Sequence, residues 1–357
     1  MSVLGDRVTL LASSTIDASG QAGSGSILIE AGTSGVGSDN VISGTYLAQQ
    51  TTILGGAGND NFKVDTGNDL TLDGRGGSDN YYVTLGTGAQ TVTIQDSGTD
   101  GGFDSGFFNT RLGNGRQIDE VIYTVGGSDA TGSSGTFKYV SGNKSQQIQF
   151  SGLEPTEDLV AAALLTVNAT TTGAITINDA GGLSVGNDPI TGTQQNRYLV
   201  NLAGADEDVT FRNKSALTVN GTAGADSITV NVATQLDPAS TNPLTTVTVN
   251  AGDNDDAITV SATFVGLTVN VNGDAGTDTL TGPNTANTWN ITGSGAGNIN
   301  GTINFTTIES LTGGTSTDSF TLSGGTLSGS IAGGTGLNTL TGNNNASTWT
   351  LTGTDAG

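Results

Sequence analysis

A turn motif about twelve residues long recurs along the chain: ILGGAGNDNFKV at 53–64, LDGRGGSDNYYV at 72–83, TVNGTAGADSITV at 218–230, TVNAGDNDDAITV at 248–260, VNGDAGTDTLTG at 271–282 and LTGGTSTDSFTL at 311–322. Each copy is a Gly-rich turn, an aspartate and, two positions on, an apolar or aromatic residue: Asp60 with Phe62, Asp79 with Tyr81, Asp226 with Ile228, Asp256 with Ile258, Asp278 with Leu280, Asp318 with Phe320. The aspartates are 19, 30, 22 and 40 residues apart within the two groups, and Asn338 follows Asp318 after 20 more. A unit near 20 residues fits these gaps if the spacing of 30 carries the loop LDPASTNP (236–243) and the spacing of 40 is two units. A short fixed period holding a turn and short strands means coils that bury their apolar faces only by stacking on one another.

The residues between turns agree. Leu267, Val269 and Val271 alternate with Thr268 and Asn270, the period-2 pattern of a strand with one buried face. The expected fold is all-β: a parallel β-helix or β-solenoid with coils of about 20 residues and one irregular insertion, right-handed as parallel crossovers prefer. About 15 to 17 coils would make a rod on the order of 70 to 80 Å. Phe62 should then lie beneath Tyr81, and Ile258 beneath Leu280. The expected organisation is N-terminal coils at 1–97, an aromatic-rich insertion or linker at 98–165, and C-terminal repeats at 166–357. One helix is expected, over PTEDLVAAALL at 155–165, where Thr156 could cap an Ala/Leu run.

A longer repeat overlies the first. Residues 271–297 align without gaps to 331–357, pairing Trp289 with Trp349, and sixty residues should be about three coils. The second copy is incomplete at Gly357, and the first residues lack the basic and apolar regions of a signal peptide, so the expectation is an excerpt of a longer secreted protein whose export signal lies outside it.

Composition narrows the function. With no Cys and no His, thiolate and imidazole metal sites and disulfides are excluded. All ten Lys and Arg lie at or before Lys214 in a chain of net charge −23, which excludes the clustered cations of a nucleic-acid surface. No apolar run approaches a membrane-spanning length, so membrane insertion is not expected.

GGAGNDNFK at 55–63 fits the nonapeptide G-G-x-G-x-D-x-U-x throughout, and GRGGSDNYY at 74–82 fits except at Arg75. These turns resemble haemolysin-type (RTX-like) calcium-binding repeats. The resemblance implies a calcium ion between the two turns, held by Gly55, Gly56, Gly58, Asp60, Gly74, Gly76, Gly77 and Asp79; the alternative is that the aspartates only cap their turns. GDRVTLLASSTIDASGQAGSGSILIEAG at 5–32 is similar to coils of filamentous-haemagglutinin-like exoproteins, and ALTVNGTAGADSITVNV at 216–232 to repeats of very large bacterial surface proteins; INFTTIES (303–310) echoes IQFSGLEP (148–155). That resemblance implies an adhesin, matrix or surface-layer component that associates with itself, with other surface proteins or with glycans.

Other readings remain open. Polysaccharide lyases and hydrolases need convergent carboxylates or a carboxylate beside a base, and Arg116 with Asp119 and Glu120 is the one mixed constellation near aromatics. Calcium-dependent surface-layer assembly and ice or mineral binding are further alternatives. Phe103, Phe107, Phe108, Tyr123, Phe137, Tyr139 and Phe150 could form a recognition surface or fill a wider core. Trp289 and Trp349 pose the same choice between sugar stacking and packing.

Overall fold

The computed structural model describes residues 50–65, 69–85, 90–98, 104–110, 118–129, 132–153, 156–179, 196–204, 207–236, 238, 240 and 242–343, with strand segments at 2–5, 9–10, 15–17, 26–31, 39–43 and 45–47. The described residues contain strands and no helix. Two long sheets, one of 17 strands and one of 14, account for all but a two-stranded pair, Thr15–Asp17 with Thr45–Leu47. The chain passes alternately between the sheets, and a strand generally pairs in parallel with the strand one circuit later. Thr246–Asn250, for example, lies between Lys214–Asn220 and Thr268–Asn272 in the larger sheet. Ala257–Thr263 lies between Ser227–Val232 and Thr279–Thr281 in the smaller. Parallel-rich sheets visited in alternation are compatible with a β-solenoid.

The alternating pattern produces columns of buried side chains because parallel, in-register pairing sets like on like. Leu217, Val247, Val269 and Ile303 form one column of the larger sheet, and Ile228, Ile258, Leu280 and Leu311 one of the smaller. β-Branched residues suit such a pleated, half-buried surface. Phe62 lies under Tyr81 with ring centroids 5.0 Å apart and planes 3° from parallel, and Ile258 pairs with Leu280, as the periodicity predicts. Outside the columns, Asn220 donates to Asn168 and Asn250 donates to Asn220, both at 2.7 Å, an amide ladder along one sheet edge.

Three times among the described residues a single strand is replaced by an antiparallel meander of three. Ile118–Asp129, Gly132–Ser141 and Lys144–Leu153 form the first, in the larger sheet; Ala174–Asn178, Tyr198–Asn201 and Val209–Phe211 the second, in the smaller; Asn287–Gly293, Ala296–Ile299 and Ile303–Thr306 the third, in the larger. In each, the third strand pairs with the preceding circuit and the first with the following one, so the chain jumps ahead and folds back. The third strands share a signature: Ile148-Gln-Phe150, Val209-Thr-Phe211 and Ile303-Asn-Phe305. Two residues after each phenylalanine comes a left-handed residue: Gly152 (φ 81°), Asn213 (57°) and Thr307 (50°). Such a φ reverses the chain out of the sheet, and for the β-branched Thr307 it is strained. This shared turn is the structural basis of the likeness between 148–155 and 303–310.

The meanders correct three expectations. The described residues of the 155–165 stretch, 156–165, form no helix: the strand Thr156–Asp158 pairs with Gly106–Phe108 and Val209–Phe211, and Ala162–Asn168 joins the larger sheet. Local helix propensity is overridden there by columns that bury Ala162, Leu165 and Val167. The described strands make twelve circuits and a final strand, fewer than 15 to 17, because each meander adds two strands without a circuit. The 17 strands of the larger sheet still span about 75 Å at a spacing near 4.8 Å.

The sixty-residue repeat is two and a half circuits, not three, so it changes sheets. Val271 lies in the larger sheet and its counterpart Ile331 in the smaller; Thr279–Thr281 lies in the smaller and Thr339–Thr341 in the larger. The three meanders among the described residues likewise alternate between the two sheets, which keeps the sheets level with each other.

The 98–165 segment contributes strands to both sheets. Phe108, Tyr123, Phe137, Tyr139 and Phe150 are buried in the core, with Tyr123 stacked on Phe137 at 4.4 Å; Phe107 is buried on the other face of its strand, stacked on Tyr82 at 4.9 Å, and Phe103 lies outside the described residues.

Candidate functional site: the carboxylate ladders

Each repeat aspartate sits in the corner just before a strand, where circuit stacking brings one turn over the next. In the first ladder the Asp60 N–H donates to Asp79 Oδ1 at 2.6 Å, and the Asp79 N–H to Asp104 Oδ1 at 2.8 Å. In the second, Gly173 N–H donates to Asp226 Oδ1 (2.7 Å), Asp226 to Asp256 (2.7 Å), Asp256 to Asp278 (2.8 Å) and Asp278 to Glu309 Oε2 (2.8 Å). A third, at the opposite corner, joins Asn287 to Asp318 Oδ1 (3.1 Å) and Asp318 to Asn338 Oδ1 (2.9 Å). The spacing of 40 between Asp278 and Asp318 is therefore not two units of one column; the third meander moves the ladder across the molecule. Hydrogen bonds from N–H groups to buried carboxylates are strong ones, and these link one circuit to the next.

Structure brings the eight glycines and aspartates of the two nonapeptides together. Gly55 N–H donates to Asp73 O (2.7 Å), Gly56 N–H to Asp60 Oδ2 (2.7 Å) and Gly76 N–H to Gly56 O (3.2 Å). Gly74 N–H donates to the Tyr81 hydroxyl at 2.7 Å. Gly77, at φ 117°, lies so close over Gly58 that a Cβ would come within 2.6 Å of its carbonyl carbon. Asp60 and Asp79 are fully buried. The Gly56 carbonyl is taken by the next turn's N–H, and the Gly55 carbonyl faces the Arg75 guanidinium at 3.4 Å. Arg75, the departure from the nonapeptide, thus reaches the preceding turn.

One tier further lies a feature the nonapeptides do not mark. Extending the register of Ile94 on Leu72 puts Asp96 above Gly74, as Gly74 lies above Gly55. In the second ladder the same place holds Gly221, Ala251 and Gly273. Small residues are needed where a Cβ would crowd the aspartate: at Gly74 it would lie 2.0 Å from Asp79 Oδ2. At Asp96 a carboxylate stands there instead, and carboxylate oxygens of Asp79, Asp96 and Asp104 lie within 4.8 Å of one another. Asp96 Oδ2 accepts the Tyr81 hydroxyl at 2.7 Å, and Oδ1 the Gly98 N–H at 3.0 Å. Asp79 Oδ2 is buried without a hydrogen-bond partner. Burial pushes the Asp79 carboxyl up to about 8, helped by the charges of Asp96, Asp60 and Asp104 and opposed by the Asp60 N–H; burial also raises Asp96. Sequence reasoning missed Asp96 and Asp104 because the stretch that carries them, DSGTDGGFD, departs from the repeat motif in sequence.

Asp119 Oδ2 accepts the Gly142 N–H (2.7 Å) and Glu120 Oε1 the Thr166 hydroxyl (2.8 Å); Arg116 lies outside the described residues. Trp289 is fully buried, stacked on Phe320 at 5.1 Å, and so is a packing residue; Trp349 lies outside the described residues. Among the described residues two ion pairs are buried beside the second meander, Lys214 with Asp158 (3.0 Å) and Arg197 with Glu157 (3.4 Å). Compared with known protein families, characterised proteins and solved structures, the chain matches none.

Proposed function

We propose that the chain is a non-enzymatic structural or adhesive segment of a large secreted bacterial surface or matrix protein: a right-handed β-solenoid rod that associates with itself, with other surface proteins or with glycans. The observation that carries the proposal is the use of the repeat carboxylates. Asp60, Asp226, Asp256, Asp278 and Asp318 each hold a turn or a neighbouring circuit through backbone N–H groups, which suits a rod extended by repetition better than a site needing free acids. Right-handedness follows the preference of parallel crossovers.

The opposing class is a polysaccharide lyase or hydrolase. Incubating the purified chain with bacterial and plant polysaccharides and measuring chain length separates the two. The proposal expects unchanged polymers and, by electron microscopy, rods on the order of 75 Å or longer assemblies of them. Depolymerisation abolished by Asp119→Asn would overturn it.

A further inference from the structure

We propose that Asp79, Asp96 and Asp104 form a binding site for a hard, oxygen-seeking divalent cation, calcium before magnesium, one tier beyond the paired nonapeptide turns. Two ligand atoms each about 2.4 Å from one ion are at most about 4.8 Å apart, and the three carboxylates meet that limit. The second observation is independent of their clustering. Asp79 is fully buried, and its Oδ2 has no hydrogen-bond partner although its Oδ1 holds the Asp60 N–H. A buried carboxyl oxygen left without a donor or cation is costly, and a metal ion is the partner that three converging carboxyl groups suit best.

The surroundings support the assignment. Asp96 is oriented from both sides, by the Tyr81 hydroxyl and the Gly98 N–H, and Asp104 by the Asp79 N–H. The two bonds to Asp96 leave lone pairs on its carboxylate, so that ligand is held without being used up. Room for Asp96 comes from Gly74 beneath it, which lacks a side chain where a Cβ would collide with Asp79 Oδ2 and the Tyr81 hydroxyl. The equivalent tiers of the second ladder, with Gly221, Ala251 and Gly273 at this place, bring no third carboxylate. Calcium is favoured because it accepts irregular, carboxylate-rich shells, whereas magnesium demands near-octahedral geometry and retains its waters.

Titration calorimetry and thermal melting of the full chain, stripped of metal with a chelator, test the site with calcium chloride as the probe. Saturable binding and a melting temperature raised by several degrees in millimolar calcium are expected. Asp96→Asn and Asp104→Asn should each weaken binding at least tenfold while still melting cooperatively without calcium. Asp60→Asn, which spares all three ligands, should keep the response. The proposal is overturned if the unmodified chain shows no heat and no shift, leaving a shared proton as the occupant. It is equally overturned if Asp96→Asn and Asp104→Asn respond like the unmodified chain, or if Asp60→Asn alone abolishes the response, which would place the ion between the two nonapeptide turns.

Discussion

The stretch 214–281 and the third meander, 287–306, belong to the same pair of sheets but are held together differently. In the first, every strand is parallel, the columns are built of Val, Ile and Leu, and a carboxylate joins each turn to the next. In the second, two antiparallel strands enter the sheet, Trp289 and Phe305 fill the core, and Thr307 takes a left-handed φ to return the chain. Beyond it the carboxylate ladder continues from the opposite corner, at Asp318. Regular circuits thus distribute cohesion over many similar rungs, whereas a meander concentrates it in a few large side chains and one turn.

The contrast breaks most visibly at Trp289. Trp289→Ala should cost about 3 to 5 kcal/mol in denaturant unfolding, by lost burial and the cavity left under Phe320. Trp289→Phe should cost much less, because the buried indole N–H has no partner to lose. Asp256→Ala, in the regular stretch, should cost about 1.5 to 3 kcal/mol, since it removes a charge-assisted bond and orphans the Asp226 N–H.

A pH series sharpens the same rung. Burial, with the nearby charges of Asp278, Asp226 and Asp255 and against the Asp226 N–H bond, pushes the Asp256 carboxyl from 3.8 up to about 6. The folded chain therefore holds a proton there that the unfolded chain has already lost. This group's contribution falls as pH rises from about 4 to about 6, so stability measured by urea titration should increase on acidification across that window. Asp256→Asn should flatten the dependence; a steeper loss of stability on acidification would refute it. Smallest is the amide ladder: Asn220→Ala should cost about 0.5 to 1.5 kcal/mol by the same unfolding measurement, because its bonds to Asn168 and Asn250 lie at a partly solvated edge.

Much of the regular stacking was legible in the sequence, because parallel in-register pairing sets equivalent residues of successive turns on each other; Phe62 under Tyr81 and Ile258 under Leu280 follow directly. The meanders were not legible. Alternation such as Ile148-Gln-Phe150 is the same in parallel and antiparallel strands, so strand direction leaves no trace in it. A usable signal was nevertheless present: an apolar-x-Phe triplet followed two residues later by Gly, Asn or Thr, and a spacing of 40 that no single column required. Of the candidate site, Asp60 and Asp79 stood out by their turns, while Asp96 and Asp104 become visible only when the register sets Asp96 over Gly74.

The central claim is that the chain jumps ahead and folds back at 287–306, so that Asn287–Gly293, not Thr279–Thr281, lies beside Asp318–Leu322. The chain has no cysteine, so engineered pairs report proximity without competition. Thr288 and Ser319 are register partners, whereas Thr279 pairs with Ser310. Parallel neighbours fall within disulfide reach. Under mild oxidation Thr288→Cys with Ser319→Cys should cross-link efficiently, and Thr279→Cys with Ser319→Cys, forty residues apart as two simple repeat units, should not. Cross-linking of the second pair and not the first would contradict the account.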